Sequence, residues 1–229
     1  MDSGVQRRQG EVKPFFRRGF LSPPSPVVGI FVFINIGVFL LSLIARFADS
    51  EAFLKVFEHL ALVPARLLHF EIQGLLTSIF LHDPSNVFHI LFNMLLLWQL
   101  GPHVEFAVGA KKFAFLYIGA GLCGSIVYSA WALLFSDPFV PVIGASGAVL
   151  GVVAGFCFLF PQARLMLWFF QPIKAIHLLY LVVILDLIFF ISERNIAIQA
   201  HFGGMLFGYL YIVRPWTTRV KGHFRWRPR

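Results

Sequence analysis

Six stretches of this chain are apolar for nearly the length a helix needs to cross a lipid bilayer, and a soluble domain could not bury so many. A crossing takes about 20 residues, for a hydrocarbon layer near 30 Å and a rise of about 1.5 Å per residue. Residues 27–45 are interrupted only by Asn35 and Ser42, and 113–135 follow Lys111 and Lys112. Residues 142–160 and 173–191 are separated by Pro161, Arg164 and Pro172. Two further stretches are more polar: 86–108 carries His89, Asn93, Gln99, His103 and Glu105, and 196–213 carries Gln199 and His201. Polar residues inside a span are costly and tend to mark chemistry, so both count as spans. The expected fold class is all-α, a polytopic bundle of six transmembrane helices.

Composition agrees. Hydrophobic residues make up 58% of the 229 and charged residues 13%, against about 45–50% and about 25% in soluble domains. The net charge of +8 does not form a surface for nucleic acid, because the basic residues sit in two tails flanking the apolar spans. Five lie at positions 7–18 and six at 214–229. Six crossings put both tails on one side, and the positive-inside rule makes that side the cytoplasm. Lys111, Lys112, Arg164 and Lys174 fall on the same side, leaving Arg46, Lys55, Arg66 and Arg194 outside. The expected organisation is a basic tail (1–26), a membrane domain (27–213) and a second basic tail (214–229). The start has no signal-peptide cleavage pattern. Cys123 and Cys157 lie in apolar stretches and read as packing residues.

About 40 residues separate the first two spans, far more than an ordinary connection. This loop is rich in apolar clusters such as Leu60-Ala61-Leu62-Val63 and Ile79-Phe80-Leu81. It is expected to lie in the outer interface as partly embedded amphipathic turns.

Orientation gathers the polar residues. The second, fourth and sixth spans all run inward from the outer face. His89 and Asn93 are four residues apart, on one face of the second. Gly144-Ala145-Ser146-Gly147 opens the fourth, and His201 lies in the first turns of the sixth. Gly147, Gly151 and Gly155 form a stripe after the serine, and Gly204 and Gly208 follow the histidine. Small residues at that spacing let helices approach closely in membranes, which would bring Ser146 to His201. Taken singly, Ser146 could be an N-cap, and the histidines and Asn93 polar glue between helices. Together they compose a serine hydrolase site. His201 accepts the Ser146 proton, while the Asn93 amide, His89 and the Ser146 backbone N–H stabilise the oxyanion. Asp186 lies in the outer half of the fifth span, so an acidic third member stays open. The simpler arrangement is a dyad, with Asp186 a buried acid needing a partner or a proton.

These residues resemble the rhomboid intramembrane serine proteases over about 27–213. Gly144-Ala145-Ser146-Gly147 is similar to the family's Gly-x-Ser-Gly. Ala200-His201-Phe202-Gly203-Gly204, continuing to Gly208, resembles its Ala-His-x-x-Gly-x-x-x-Gly, and His89 to Asn93 its His-x-x-x-Asn. Gly101 and Glu105 resemble a structural pattern of the second helix. The chain departs from many relatives at Gln73-Gly74, where they carry Trp-Arg. It departs again at Leu150, where a Tyr stacks on the histidine, so His201 needs another means of orientation. The resemblance implies Ser146 as nucleophile, His201 as base, and His89 and Asn93 as oxyanion donors. It further implies cleavage in or beside a transmembrane helix of a protein substrate, with no metal or organic cofactor, and the bilayer as the other partner. The compact form suggests a bacterial inner membrane with the site toward the outer face. Two rivals differ in class. A silent relative that binds membrane clients would lack the serine or histidine, and a transporter would carry inverted repeats, of which none stands out.

Overall fold

A computed structural model describes residues 25–165, 173–192 and 197–214; apart from their inner ends, the two basic tails lie outside these. Helix α1 (Pro26–Ala48) leads into a long first loop containing α2 (Ser50–Leu60), the short α3 (Pro64–Leu67) and α4 (Gly74–Thr77), and a 3-10 turn at Ser78–Phe80. Helices α5 (Val87–Val108) and α6 (Ala110–Phe135) follow, then α7 (Ser146–Leu159). A two-residue strand pair, β1 (Arg164–Leu165) with β2 (Ile173–Lys174), precedes α8 (Ala175–Ser192) and α9 (Ile198–Val213). The molecule is an all-α polytopic membrane bundle.

Helix α7 is its centre. Gly147 through Cys157 are buried without a break, as suits a helix apolar on every side, with α5, α6, α8 and α9 packed around it. Helix α1 is the opposite case. Val28, Phe31, Val32, Asn35 and Phe39 face inward, while Ile30, Phe33, Leu40, Leu41 and Ile44 stand exposed, an outward apolar face that lipid would cover. Asn35 donates to the Phe31 carbonyl at 2.8 Å and to the Tyr117 hydroxyl at 3.2 Å, tying α1 to α6.

Three helices, α1, α5 and α6, are long and apolar enough to cross a bilayer by themselves. The other three expected spans begin later than their apolar stretches suggest. The stretch from 142 is not helical until Ser146, because Gly144 takes a φ of +127°, which no α-helix accommodates. The 14 residues of α7 reach about 21 Å, short of a hydrocarbon layer of about 30 Å. Ile173 and Lys174 pair with Leu165 and Arg164 as antiparallel strand, so the fifth stretch becomes helical only at Ala175. Helix α9 starts at Ile198 rather than 196.

The first loop braces the entry to α7. Leu62 and Val142 exchange both backbone hydrogen bonds, at 3.1 and 2.8 Å; Ala65 N–H donates to Pro138 and Gly144 N–H to Ser78, each at 2.9 Å. Backbone that is not helical needs such partners at membrane depth. The loop's apolar residues divide between the two sides. Ala61, Leu62, Ile79 and Leu81 are buried, whereas Leu54, Val56, Leu68, Phe70 and Ile72 are exposed.

Candidate active site

The site is held by one close helix crossing. A Cβ on Gly204 would collide with the Gly147 carbonyl, and one on Gly208 with the Gly151 carbonyl. Helices α7 and α9 thus touch backbone to backbone, a separation only glycine permits. On the next side of α7, Gly151 abuts Ala120 of α6. Ser146 is the first residue of α7 and His201 the fourth of α9, so this crossing places them side by side.

Ser146 Oγ lies 2.8 Å from His201 Nε2, and His201 Nδ1 lies 2.9 Å from Asp186 Oδ2. A carboxylate only accepts, so the network assigns the ring proton to Nδ1, and Nε2 accepts from the serine hydroxyl. Ser146 does not cap this helix. Ala145 holds the N-cap position, and no side chain caps that helix start. The Ser146 N–H is among the donors that a first helical turn leaves without an intrahelical acceptor.

His89 stands across Gly144. A Cβ at that position would lie 2.7 Å from His89 Cε1 and 3.8 Å from Ser146 Oγ. Gly144 is therefore required twice, by its positive φ and by the imidazole against it. Asn93 is buried one turn along α5 from His89, and its amide donates to the His89 carbonyl at 3.0 Å. Among the described residues it makes no hydrogen bond to Ser146 or His201, although its second amide hydrogen remains available.

A third histidine completes this end. His82, in the loop before α5, is fully buried and packs edge-on against His89 with ring centroids 5.3 Å apart. Its Nε2 accepts a long hydrogen bond, 3.5 Å, from the Ala145 N–H, while Nδ1 is buried with no hydrogen-bond partner. Burial first and the neighbouring His89 second push its pKa from the ordinary 6.5 down to about 3, opposed by the nearby Phe80 carbonyl. His82 is therefore a neutral acceptor. The sequence carries no periodic signal for it, since it belongs to no helix.

A family model described as the rhomboid domain matches residues 69–216, a segment that contains His82, His89, Asn93, Ser146, Asp186 and His201. The chain belongs to the rhomboid family. Rhomboid relatives include the rhomboid protease GluP of Bacillus subtilis, 34% identical over 135 residues, which cover 59% of this chain and 24% of that protein. Rhomboid protein 1 of Saccharomyces cerevisiae mitochondria is 30% identical over 142 residues, covering 60% and 40%. The human presenilin-associated rhomboid-like protein is 29% identical over 141 residues, covering 60% and 36%. The similarity thus spans well under half the length of these relatives. Rhomboid membership also frames the far end of α5. There Gly101 admits Val28, and Glu105 accepts from Ser25 Oγ at 2.6 Å, Val28 N–H at 2.9 Å and Val27 N–H at 3.3 Å.

Proposed function

We propose that this protein is an intramembrane serine endopeptidase, hydrolysing a peptide bond in or beside a transmembrane helix of another membrane protein. The observation that carries this reading is the 2.8 Å approach of Ser146 Oγ to His201 Nε2 at the buried crossing of α7 and α9. As Oγ attacks the scissile carbonyl carbon, its proton passes to Nε2, and the carbonyl oxygen becomes an oxyanion. The Ser146 N–H, His89 and the second Asn93 amide hydrogen are the donors for that oxyanion. Losing one such donor typically costs about 3–4 kcal/mol of transition-state stabilisation. Collapse breaks the C–N bond, and His201 hands its proton to the leaving amine. Water, deprotonated by the same histidine, then releases the acyl group from Ser146.

Carbonyls of an intact helix are already bonded, so the substrate must unwind locally to be attacked. Active-site access from the outer face of a bacterial inner membrane belongs to the same proposal. In proteoliposomes holding a model transmembrane substrate, the protein is expected to cleave, and Ser146→Ala and His201→Ala are each expected to lower the rate by about 10⁴-fold or more. A fluorophosphonate probe is expected to label Ser146 in the unaltered protein. Cleavage at an undiminished rate by either variant would refute the assignment.

A further inference from the structure

The hydrolytic pair leaves Asp186 without a task, and the histidine with a second nitrogen to account for. Asp186 is the twelfth residue of α8, among Leu185, Leu187 and Ile188, and an acid in such an apolar helix is costly. Its hydrogen-bond partner among the described residues is His201. The two side chains keep only 14% and 12% of their surface exposed, for His201 and Asp186 respectively. The other titratable groups gathered here are the bases His89 on α5 and His82 behind it, and the acid Asp83, which faces His89. Asp186 is the acid in direct contact with His201, and so the one placed to balance a positive charge on that ring. Leu150, one turn after Ser146, has no hydrogen-bonding group with which to orient the ring.

We propose that Asp186 is a positioning residue, completing a Ser146–His201–Asp186 relay spread over α7, α9 and α8. This rests on the hydrolytic reading of Ser146 and His201. The carboxylate accepts from Nδ1–H and so holds His201 in the tautomer whose Nε2 has a free lone pair facing Ser146 Oγ. When the serine proton arrives at Nε2, the imidazolium is stabilised by the charge beside it. No proton passes to Asp186, and the same proton leaves Nε2 for the amine when the C–N bond breaks. Without the carboxylate, the ring is free to flip or to take the other tautomer, which points an N–H at the serine.

The test uses the full chain in lipid nanodiscs with Asp186→Asn, which keeps shape and removes charge, and Asp186→Glu, which restores it. Asn is expected to lower kcat by about 10²- to 10⁴-fold with KM little changed, and Glu to recover part of the loss. Nitrogen-15 NMR of labelled histidines, with His201 assigned by its absence in His201→Gln, reports the tautomer whether or not the Asn variant folds. The unaltered protein is expected to show Nδ1–H. An active protein whose His201 carries its proton on Nε2, or an Asn variant cleaving at the unaltered rate, overturns the role of Asp186 and leaves the hydrolase standing. An inert protein that resists the fluorophosphonate yet keeps Nδ1–H overturns the hydrolase and retains the Asp186–His201 bond.

Discussion

The bundle buries one acid near each end, and the two make different use of burial. Glu105 and Asp186 are 4% and 8% exposed, so solvent contact does not separate them. Their partners do. Glu105 receives three donors from Ser25, Val27 and Val28. They occupy the carboxylate as a cap on the N-terminus of α1, where a negative group is also favoured by the helix dipole. Asp186 faces one imidazole whose other nitrogen is bonded to a serine. An acid whose acceptor positions are filled by backbone and hydroxyl holds the fold together. An acid bonded to a titratable ring is placed to influence a reaction.

The contrast holds only while α7 and α9 stay in contact, and the most damaging change is one at their seam. Gly204→Ala sets a methyl group against the Gly147 backbone, which has no rotamer with which to yield. The expected loss is about 3 kcal/mol or more, seen as a lower thermal midpoint together with lost cleavage. Gly37→Ala on α1, where a Cβ meets nothing within 4 Å, is the control that leaves both unchanged.

The next effect belongs to the Ser146 end alone. Unfolded His82 takes a proton near its ordinary pKa of 6.5, and the folded residue only near 3. Between those values the unfolded chain binds more protons, so stability drops as pH falls through that window. The loss is on the order of a few kcal/mol at its acid limit. His82→Leu should flatten thermal midpoints measured from pH 7 to 4, and an unchanged slope would show that another group sets the acid sensitivity.

The smallest effect isolates the other end. Glu105→Gln leaves one oxygen for three donors and turns an amide N–H₂ toward them, for a cost of about 2 kcal/mol. Thermal midpoint should fall while kcat at a temperature below the transition holds. Asp186→Asn is expected to do the reverse. If both variants lose only stability, the distinction between the two acids fails.

Much of this was legible in the chain because membrane burial imposes long runs and glycine spacing imposes close approach. Ser146 and His201 are 55 residues apart, yet Gly147, Gly151, Gly204 and Gly208 already mark the faces that bring them together. What could not be read lies where structure is not periodic. The brace of Leu62 on Val142 and the insertion of His82 beneath Ala145 come from loops, whose pairing depends on backbone shape rather than on side-chain pattern. The start of α7 lies four residues inside its apolar stretch for a related reason. Apolar content continues through 142–145, while the positive φ of Gly144 keeps that segment out of the helix, which begins at Ser146.

Residue pattern alone marks this chain as an all-α membrane protein of the rhomboid family. The same pattern makes one serine and one histidine, Ser146 and His201, stand out from the apolar background. Hydrophobic length and small-residue spacing are local quantities, and one dimension is enough to read them. The contact of Asp186 with His201 is legible only in three dimensions. Fifteen residues along the chain from His201 and on another helix, the acid shows no sequence relation to that imidazole. Hydrogen bonds act over about 3 Å, and only the packing of α8 and α9 against α7 brings these three side chains within that distance.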